Sequence, residues 1–258
     1  MVSAAANVLA TIGTVLWCIQ LIPQIIHNYK RKNTEGLNEW MILLWCLCAP
    51  FFAIYFVSEE SSIPIQIQPH LFGFFCWVVY LQVLYYPPVS RSRKGIVLRA
   101  GLFLVFWVAA EVGFVIPLRR IYQNGTTWPV LVFGILGSIL LALGLLPPYY
   151  ELAKRQGRVV GINFVFLATD LSGALFSLAS LAVGEIDTMG LILYSICASL
   201  EIGIFLSHAI WWLRIGRKAS SKDGELTQVN TETEKIVEKI PDSDDSNLDA
   251  FKSPGTLV

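Results

Sequence analysis

The chain has 258 residues, of which 55% are hydrophobic and only 15% are charged, and its mean hydropathy is +0.59. Soluble domains rarely have this composition, so it argues against a soluble enzyme and favours an integral membrane protein. The formal net charge of zero says little, because the charged residues cluster between apolar runs and in roughly the last 40 residues, as loops and a tail would require.

Seven apolar runs are each long enough to cross a hydrocarbon core about 30 Å thick. The first run is not preceded by basic residues, so we expect a retained span and not a secretory signal peptide. The predicted spans cover residues 8–28, 39–57, 66–86, 97–117, 129–150, 163–183 and 190–212.

The loops between the spans predict the orientation of the chain. Thirteen lysines and arginines follow spans 1, 3, 5 and 7, against only Arg119 and Arg120 on the other side. The positive-inside rule therefore predicts a lumenal or external N-terminus and a cytosolic C-terminus. Asn124 begins an N-glycosylation acceptor pattern in a non-cytosolic loop, which agrees, although such tripeptides also occur by chance. The polar tail over 216–258 is predicted to be disordered and cytosolic.

Spans 1–3 and spans 5–7 follow one plan. Pro23-Gln24 ends span 1, a basic stretch follows, and Gly36-Leu37-Asn38 opens span 2. In the second half, Pro147-Pro148 and Gly161-Ile162-Asn163 take the same places. The prolines are 124 residues apart and the Gly-x-Asn elements 125, so the chain contains a repeat.

Span 4 remains as a linker between the two copies. One extra span gives both three-helix halves the same orientation, related by an axis along the membrane normal. We therefore predict an all-α membrane fold of two parallel three-helix bundles, 8–88 and 128–215, joined by a linker helix at 95–118 in a 3+1+3 arrangement.

The segments Pro23 to Asn28 and Lys32 to Leu37, with Gly161 to Asn163 leading to Asp170 to Gly173, resemble the PQ-loop family. That family includes cystinosin, the lysosomal cationic amino acid exporters and, more distantly, the SWEET sugar transporters. The resemblance implies a transporter of the cystinosin or exporter branch in a vacuolar or lysosomal membrane. The second half departs from the family pattern, because Pro148 stands where a glutamine is expected.

The paired prolines are candidate hinges. A proline within a span removes a backbone hydrogen bond and bends the helix. Pro23 and Pro147 lie at equivalent depths, so we expect them, with Gln24 and Pro148, to act as hinges for alternating access. Simple helix termination at the interface is the alternative interpretation.

Three acidic residues, Glu111, Asp170 and Glu201, lie inside the predicted spans. Every lysine and arginine belongs to a loop, a span end or the tail, so these acids are candidates for a wet cavity or a proton pathway. Asp170 lies near the midplane, and the family resemblance implies a role for it in proton coupling. Glu201 and His208 are two turns apart on one face of span 7 and are predicted to share that role.

The substrate cavity is predicted to combine residues from the starts of spans 2 and 6, aromatic residues and the acid of the linker: Asn38, Trp45, Asn163, Trp77, Tyr80 and Glu111. Trp45 occupies in the first half the position that Asp170 occupies in the second, so the halves differ chemically. Since only the second half carries both Asp170 and Glu201, we expect that half to sense protons.

No catalysis, metal or cofactor is indicated, because the sequence shows no nucleophile–base set, metal cluster or phosphate loop. The cysteines lie in apolar runs without a CxxC pair and suit small apolar packing: Cys18, Cys46, Cys48, Cys76 and Cys197.

The leading hypothesis is a proton-coupled transporter that exports a small solute, such as an amino acid, from an acidic organelle. The expected partners are the bilayer, the solute and protons, with no nucleic acid. The alternative is a non-transporting receptor or a sorting or signalling protein on the same scaffold. A G-protein-coupled receptor also has seven spans, but it has no internal repeat.

Overall fold

The computed structural model describes residues 4–184 and 188–217, and within them the chain forms nine α-helices and no strand. The helices are α1 Ala4–Ile19, α2 Ile22–Arg31, α3 Glu39–Ser58, α4 Ile63–Tyr85, α5 Arg93–Gln123, α6 Trp128–Gly144, α7 Leu146–Lys154, α8 Phe164–Val183 and α9 Thr188–Trp211.

Seven stretches of the described chain are long and apolar enough to cross a membrane. This confirms the predicted all-α fold with seven spans. The linker helix α5 is longer than predicted, with 31 residues. The spans are Ala4–Arg31, Glu39–Ser58, Ile65–Tyr85, Arg93–Gln123, Trp128–Lys154, Phe164–Val183 and Gly190–Ile215.

Residues up to Ile210 form one compact unit. The second unit begins at Trp211, and its described part contains a π-helical turn at Trp212–Gly216. The predicted disordered tail lies outside the described residues from residue 218 onwards.

Spans 1 and 5 are each built from two helices. In span 1 the chain breaks between Ile19 and Ile22, and in span 5 it breaks at Leu145. Pro23 and Pro147 lie in the first turn of the second helix, where a missing N–H costs little because that N–H has no helical acceptor. The bends therefore precede the prolines.

The repeated Gly-x-Asn elements adopt one backbone conformation. Gly36 and Gly161 have φ values of +88° and +82°, which favour glycine. Asn38 and Asn163 then cap α3 and α8, with φ/ψ of −75°/128° and −76°/127°. The sequence repeat is thus also a conformational repeat.

Two seams join the halves: α1 packs against α8, and α3 packs against α6. The linker α5 packs on α3, α4 and α6. We name the side with loops 32–38, 86–92 and 155–163 the basic face, and the side with loops 59–62 and 124–127 the opposite face.

Candidate functional site

A cavity of about 330 Å³ lies between the two halves. Spans 1, 2, 3, 5, 6 and 7 line it, and no described residue of the linker helix does so. Its deep end lies at Gln20, Asp170 and Glu201, and its other end reaches Glu59 and Ser61 in a loop of the opposite face. The cavity therefore runs from the middle of the bundle toward one face.

The deep end of the cavity is acidic. Asp170 of α8 and Glu201 of α9 are 7% and 1% exposed, and their side chains are hydrogen-bonded to each other. Two carboxyl groups can share a hydrogen bond only if one of them carries a proton. Oε2 of Glu201 has no hydrogen-bond partner among the described residues. The pair thus holds at least one proton and one unused acceptor.

Gln20, which lies at the break between α1 and α2, also lines this deep end of the cavity. We call Gln20, Asp170 and Glu201 the acidic floor. With its amide nitrogen turned toward the carboxylate, Gln20 donates to both oxygens of Asp170, to Oδ2 at 3.2 Å. Among the described residues neither Asp170 nor Glu201 has a lysine or arginine partner. This deep end is therefore held by an amide and a shared proton, and no lysine or arginine of the described residues neutralises it.

Two tryptophans of the first half line the cavity and form hydrogen bonds to the second half. Nε1 of Trp17 donates to the backbone carbonyl of Asp170, and Nε1 of Trp45 donates to that of Leu141, each at 3.1 Å. A Cβ on Gly173 or Gly144 would collide with the corresponding indole ring. Each glycine therefore makes room for one tryptophan.

The two tryptophan contacts are equivalent under the repeat. Trp17 corresponds to Leu141, 124 residues later, and Trp45 corresponds to Asp170, 125 residues later. The same spacing pairs Gln20 with Gly144. In the α1–α8 seam the amide of Gln20 contacts the carboxylate of Asp170. At the equivalent place in the α3–α6 seam, the indole of Trp45 contacts Gly144. This explains why the cavity has one acidic floor and not two.

Gln24 of the first half is hydrogen-bonded to Gly161 and Asn163 of the second half at the basic face, and we call this contact the Gln24 clasp. Gln24 is fully buried, its Nε2 donates to the backbone carbonyl of Gly161 at 2.9 Å, and its Oε1 accepts the backbone N–H of Asn163 at 2.7 Å. A Cβ on Gly36 would collide with the carbonyl of Val160. The first-half Pro-Gln element is therefore locked to the second-half Gly-x-Asn element.

A buried polar network supports the clasp within the first half. Nε2 of Gln24 also donates to Asn28 at 2.8 Å, and Nδ2 of Asn28 donates to Gln82 at 3.0 Å. The equivalents of Gln24 and Asn28 in the second half are Pro148 and Leu152, and Leu152 packs in an apolar cluster. Pro148 has no side-chain polar group, so it cannot form the mirror-image bonds.

The two asparagines predicted for the substrate cavity lie at the basic face and do not line the cavity. Oδ1 of Asn38 accepts the N–H of Trp40 at 2.9 Å, and Oδ1 of Asn163 accepts that of Val165 at 2.7 Å. They are N-caps, which satisfy the otherwise unpaired first N–H groups of a helix.

The aromatic residues predicted for the cavity divide into two groups. Trp45 lines it, whereas Trp77 and Tyr80 pack in the core beside it. The buried Nε1 of Trp77 has no hydrogen-bond partner among the described residues.

Glu111 lies away from the cavity, between the linker helix and α4. Its Oε1 is 2.7 Å from Nε2 of His70, and its Oε2 accepts the indole N–H of Trp107 at 3.0 Å. Nδ1 of His70 lies 2.8 Å from the carbonyl of Gln66 and must therefore donate to it. This acid has a histidine partner that the sequence argument, which considered only lysine and arginine, did not find.

His208 lies on α9 toward the basic face from Glu201. Its Nδ1 accepts the backbone N–H of Val159 at 3.1 Å, and its ring centroid is 4.9 Å from that of Phe164. It thereby links span 7 to the loop before α8.

The opposite face carries the exposed Asn124 at the end of α5. Nearby, hydrogen bonds from Arg119 and then Gln123 hold the pKa of Glu60 below its usual range, and Arg119 lies 2.7 Å from it. This contact ties the loop after α3 to the linker helix.

Sequence reasoning missed Gln20, Trp17 and His70. Gln20 was overlooked because only acidic residues and His208 were considered for the proton pathway, although a buried amide also needs partners in a bilayer. Its signal was available, since it is a polar residue three positions before Pro23.

The fold and the cavity define a multi-pass α-helical membrane protein built from two repeats. Residues 5–65 match the PQ loop repeat, which covers most of the first three-helix half. The chain belongs to the PQ-loop repeat family of membrane proteins.

Two fungal relatives align along most of their length. The chain is 49% identical to "Uncharacterized membrane protein YDR090C" of Saccharomyces cerevisiae, over 97% of this chain and 83% of that protein. It is 31% identical to "Uncharacterized protein C2E12.03c" of Schizosaccharomyces pombe, over 93% of this chain and 84% of that protein.

Proposed function

We propose that the protein is a transporter that moves a small solute across a membrane by alternating access. The observation that carries this proposal is the position of the cavity: it reaches the opposite face, ends at Asp170 and Glu201, and is sealed from the basic face by the Gln24 clasp. Releasing the clasp while closing the other end would expose the same floor to the basic face. Two similar halves on either side of a central site suit such a movement.

Transport is proposed to be coupled to protons. The shared hydrogen bond of Asp170 and Glu201 needs a proton, and no lysine or arginine of the described chain pairs with either group. Protons and a cationic group of the solute would therefore compete for one acidic floor. Ionisable groups in this position within a membrane commonly serve proton relays and substrate pathways.

The proposed solute is small and carries an amino group, as an amino acid does. A cavity of about 330 Å³ lies at the lower end of the range for small-molecule sites. The acidic floor attracts an ammonium group, and the rings of Trp17 and Trp45 beside it add cation–π attraction.

The proposed direction is export from an acidic organelle, a vacuole or lysosome. The basic face would be cytosolic by the positive-inside rule, with the N-terminus and Asn124 in the lumen. An acidic lumen would protonate the floor from the side that the cavity reaches.

The test is flux in proteoliposomes of the purified full chain, with a panel of radiolabelled amino acids and with or without a pH gradient. The proposal predicts saturable flux of at least one amino acid that grows when the compartment on the opposite face is acidified. Saturable binding without flux of any panel member would favour the receptor alternative.

A further inference from the structure

Gln20 occupies the one non-helical step of span 1, between the end of α1 at Ile19 and the start of α2 at Ile22. It is only 3% exposed, yet its side chain reaches across the α1–α8 seam to Asp170. The break that bends span 1 is therefore directly bonded to the acidic floor.

We infer that Gln20 is a positioning residue that couples the proton occupancy of Asp170 to the bend in span 1, and through it to the Gln24 clasp. This inference rests on the proposed transport function and assigns the part of the structure that transmits the signal.

The chemistry of the contact makes it sensitive to protons. When Asp170 is ionised, its two oxygens accept hydrogen bonds from the side-chain NH2 group of Gln20. A proton on the Asp170 oxygen that Gln20 contacts turns it into an O–H donor and leaves one acceptor oxygen for the amide in place of two. The Gln20 amide then loses one of its two hydrogen bonds, and it either rotates to accept this O–H or shifts toward the remaining acceptor.

A shift of Gln20 acts on the clasp through a short and rigid connection. Leu21 follows Gln20, and its carbonyl accepts the N–H of Ile25 at 2.9 Å, so it is bonded to the first turn of α2. Gln24 lies in that same turn, four residues after Gln20. A shift of the break therefore moves the side chain that holds Gly161 and Asn163.

Few of the described residues have polar side chains near the carboxyl oxygens of Asp170. The titratable groups that face it are Glu201 and the Cys197 thiol of α9 and the Cys76 thiol of α4. On the α1 side, Trp17 bonds the backbone carbonyl of Asp170, not its carboxyl group. Gln20 is thus the neutral partner that links this carboxyl group to span 1.

The repeat provides an internal comparison. The residue equivalent to Gln20 is Gly144, and the residue equivalent to Asp170 is Trp45. The break in span 5 therefore has no polar side chain facing an acid, so the coupling is built into span 1 alone.

The experiment measures the clasp directly and needs no solute. Spin labels are placed at Lys30→Cys and Lys154→Cys, which are equivalent exposed positions on the two halves of the basic face. The background carries Cys18→Ser, because the other four cysteines are buried. Double electron–electron resonance on the full chain in nanodiscs gives the ratio of short to long label distances across a pH series.

Four proteins form a double-mutant cycle: the labelled parent, Gln20→Met, Asp170→Asn and the double variant. Gln20→Met is expected to change the distance ratio on the order of tenfold in the parent, as for loss of a hydrogen bond to a charged group. In the Asp170→Asn background it is expected to change the ratio by less than about twofold, since residues that act as one unit are non-additive. Equal changes in both backgrounds, or no change in either, would overturn the inference.

Gln20→Glu tests the same inference if Gln20→Met fails to fold. A carboxyl group at residue 20 can share a proton with Asp170, so the pH response should persist with its midpoint at higher pH. A response identical to that of the parent would contradict the coupling. If the label distances of the parent do not change with pH, the inferred coupling of proton occupancy to the clasp is overturned, whereas pH-dependent amino acid flux in the same protein would leave the transport function standing. If both single changes are additive while amino acid flux depends on pH, the link fails and the transport function stands.

Discussion

Oε1 of Gln24 accepts the backbone N–H of Asn163 at 2.7 Å, so one buried side chain of the first half is bonded to the helix start of the second half. The sequence predicts that Gln24 belongs to a hinge and acts within its own span. The contact joins the first half of the molecule to the second. A glutamine that bonds across the halves would lose both of its partners there if the halves separated.

Removing the clasp should open the basic face. Gln24→Leu deletes two cross-half hydrogen bonds and leaves the buried Gly161 carbonyl and Asn163 N–H without their partner. Each such loss costs about 1–3 kcal/mol, so the closed state should lose most of its population. The expected result is a longer Lys30–Lys154 label distance by electron resonance.

Gln24→Glu is the matched control for this prediction. It keeps the acceptor for Asn163 but loses the donor to Gly161, so its distance distribution should lie between those of the parent and Gln24→Leu. An unchanged short distance in Gln24→Leu would show that the clasp does not hold the face closed.

The ion pair at the same face should contribute far less. Arg155 lies 3.2 Å from Glu35 across the halves, but the two side chains are 31% and 54% exposed. Exposed pairs of this kind contribute about 0–1 kcal/mol and weaken in salt. Arg155→Ala should therefore leave the Lys30–Lys154 distance distribution nearly unchanged at physiological salt. A shift as large as that of Gln24→Leu would mean that the ion pair, and not the clasp, closes the basic face.

The tryptophan contacts should depend on their glycines. Gly144→Ala and Gly173→Ala place a methyl group against the indoles of Trp45 and Trp17. Overpacking of this kind costs about 1–3 kcal/mol, so both variants should unfold at lower temperature in detergent. Gly101→Ala and Gly113→Ala are the controls, because nothing lies within 4 Å of either Cβ position. Equal melting temperatures for all four variants would show that Trp45 and Trp17 do not pack tightly against Gly144 and Gly173.

Glu111 should stabilise the fold without sensing protons for transport. Glu111→Gln keeps a group for both His70 and Trp107, since the amide nitrogen can donate to one and the oxygen can accept from the other. Glu111→Ala leaves the Trp107 N–H without its acceptor and should cost about 1–3 kcal/mol. Thermal unfolding should therefore separate the two variants. A changed pH dependence of flux in Glu111→Gln would return this residue to the transport pathway.

Much of the fold could be predicted from the sequence because a bilayer imposes strong constraints. Apolar runs long enough to cross the core gave the seven spans, and the spacing of Pro23 to Pro147 and of Gly36 to Gly161 gave the repeat. The helix breaks were placed at the prolines, but they lie just before them, because proline is tolerated in the first turn of a helix.

The floor of the cavity could be predicted only in part. Asp170 and Glu201 are marked by their charge within apolar spans. Gln20 reaches Asp170 only through the α1–α8 seam, and His70 reaches Glu111 through the contact of α4 with α5. These pairings depend on helix rotation, which a periodicity of apolar residues in an almost wholly apolar span does not determine. Asn38 and Asn163 cap α3 and α8 and do not line the cavity, and the sequence alone does not distinguish a capping asparagine from a cavity asparagine.

We propose that Asp170 couples a proton gradient to movement of a solute through the cavity. The most direct measurement is the initial rate of amino acid flux in proteoliposomes, with and without acidification on the opposite face, for the parent, Asp170→Asn and the matched Glu111→Gln. Acidification should stimulate flux in the parent and in Glu111→Gln, and Asp170→Asn should remove the stimulation. Stimulation of equal size in Asp170→Asn would contradict the proposed coupling.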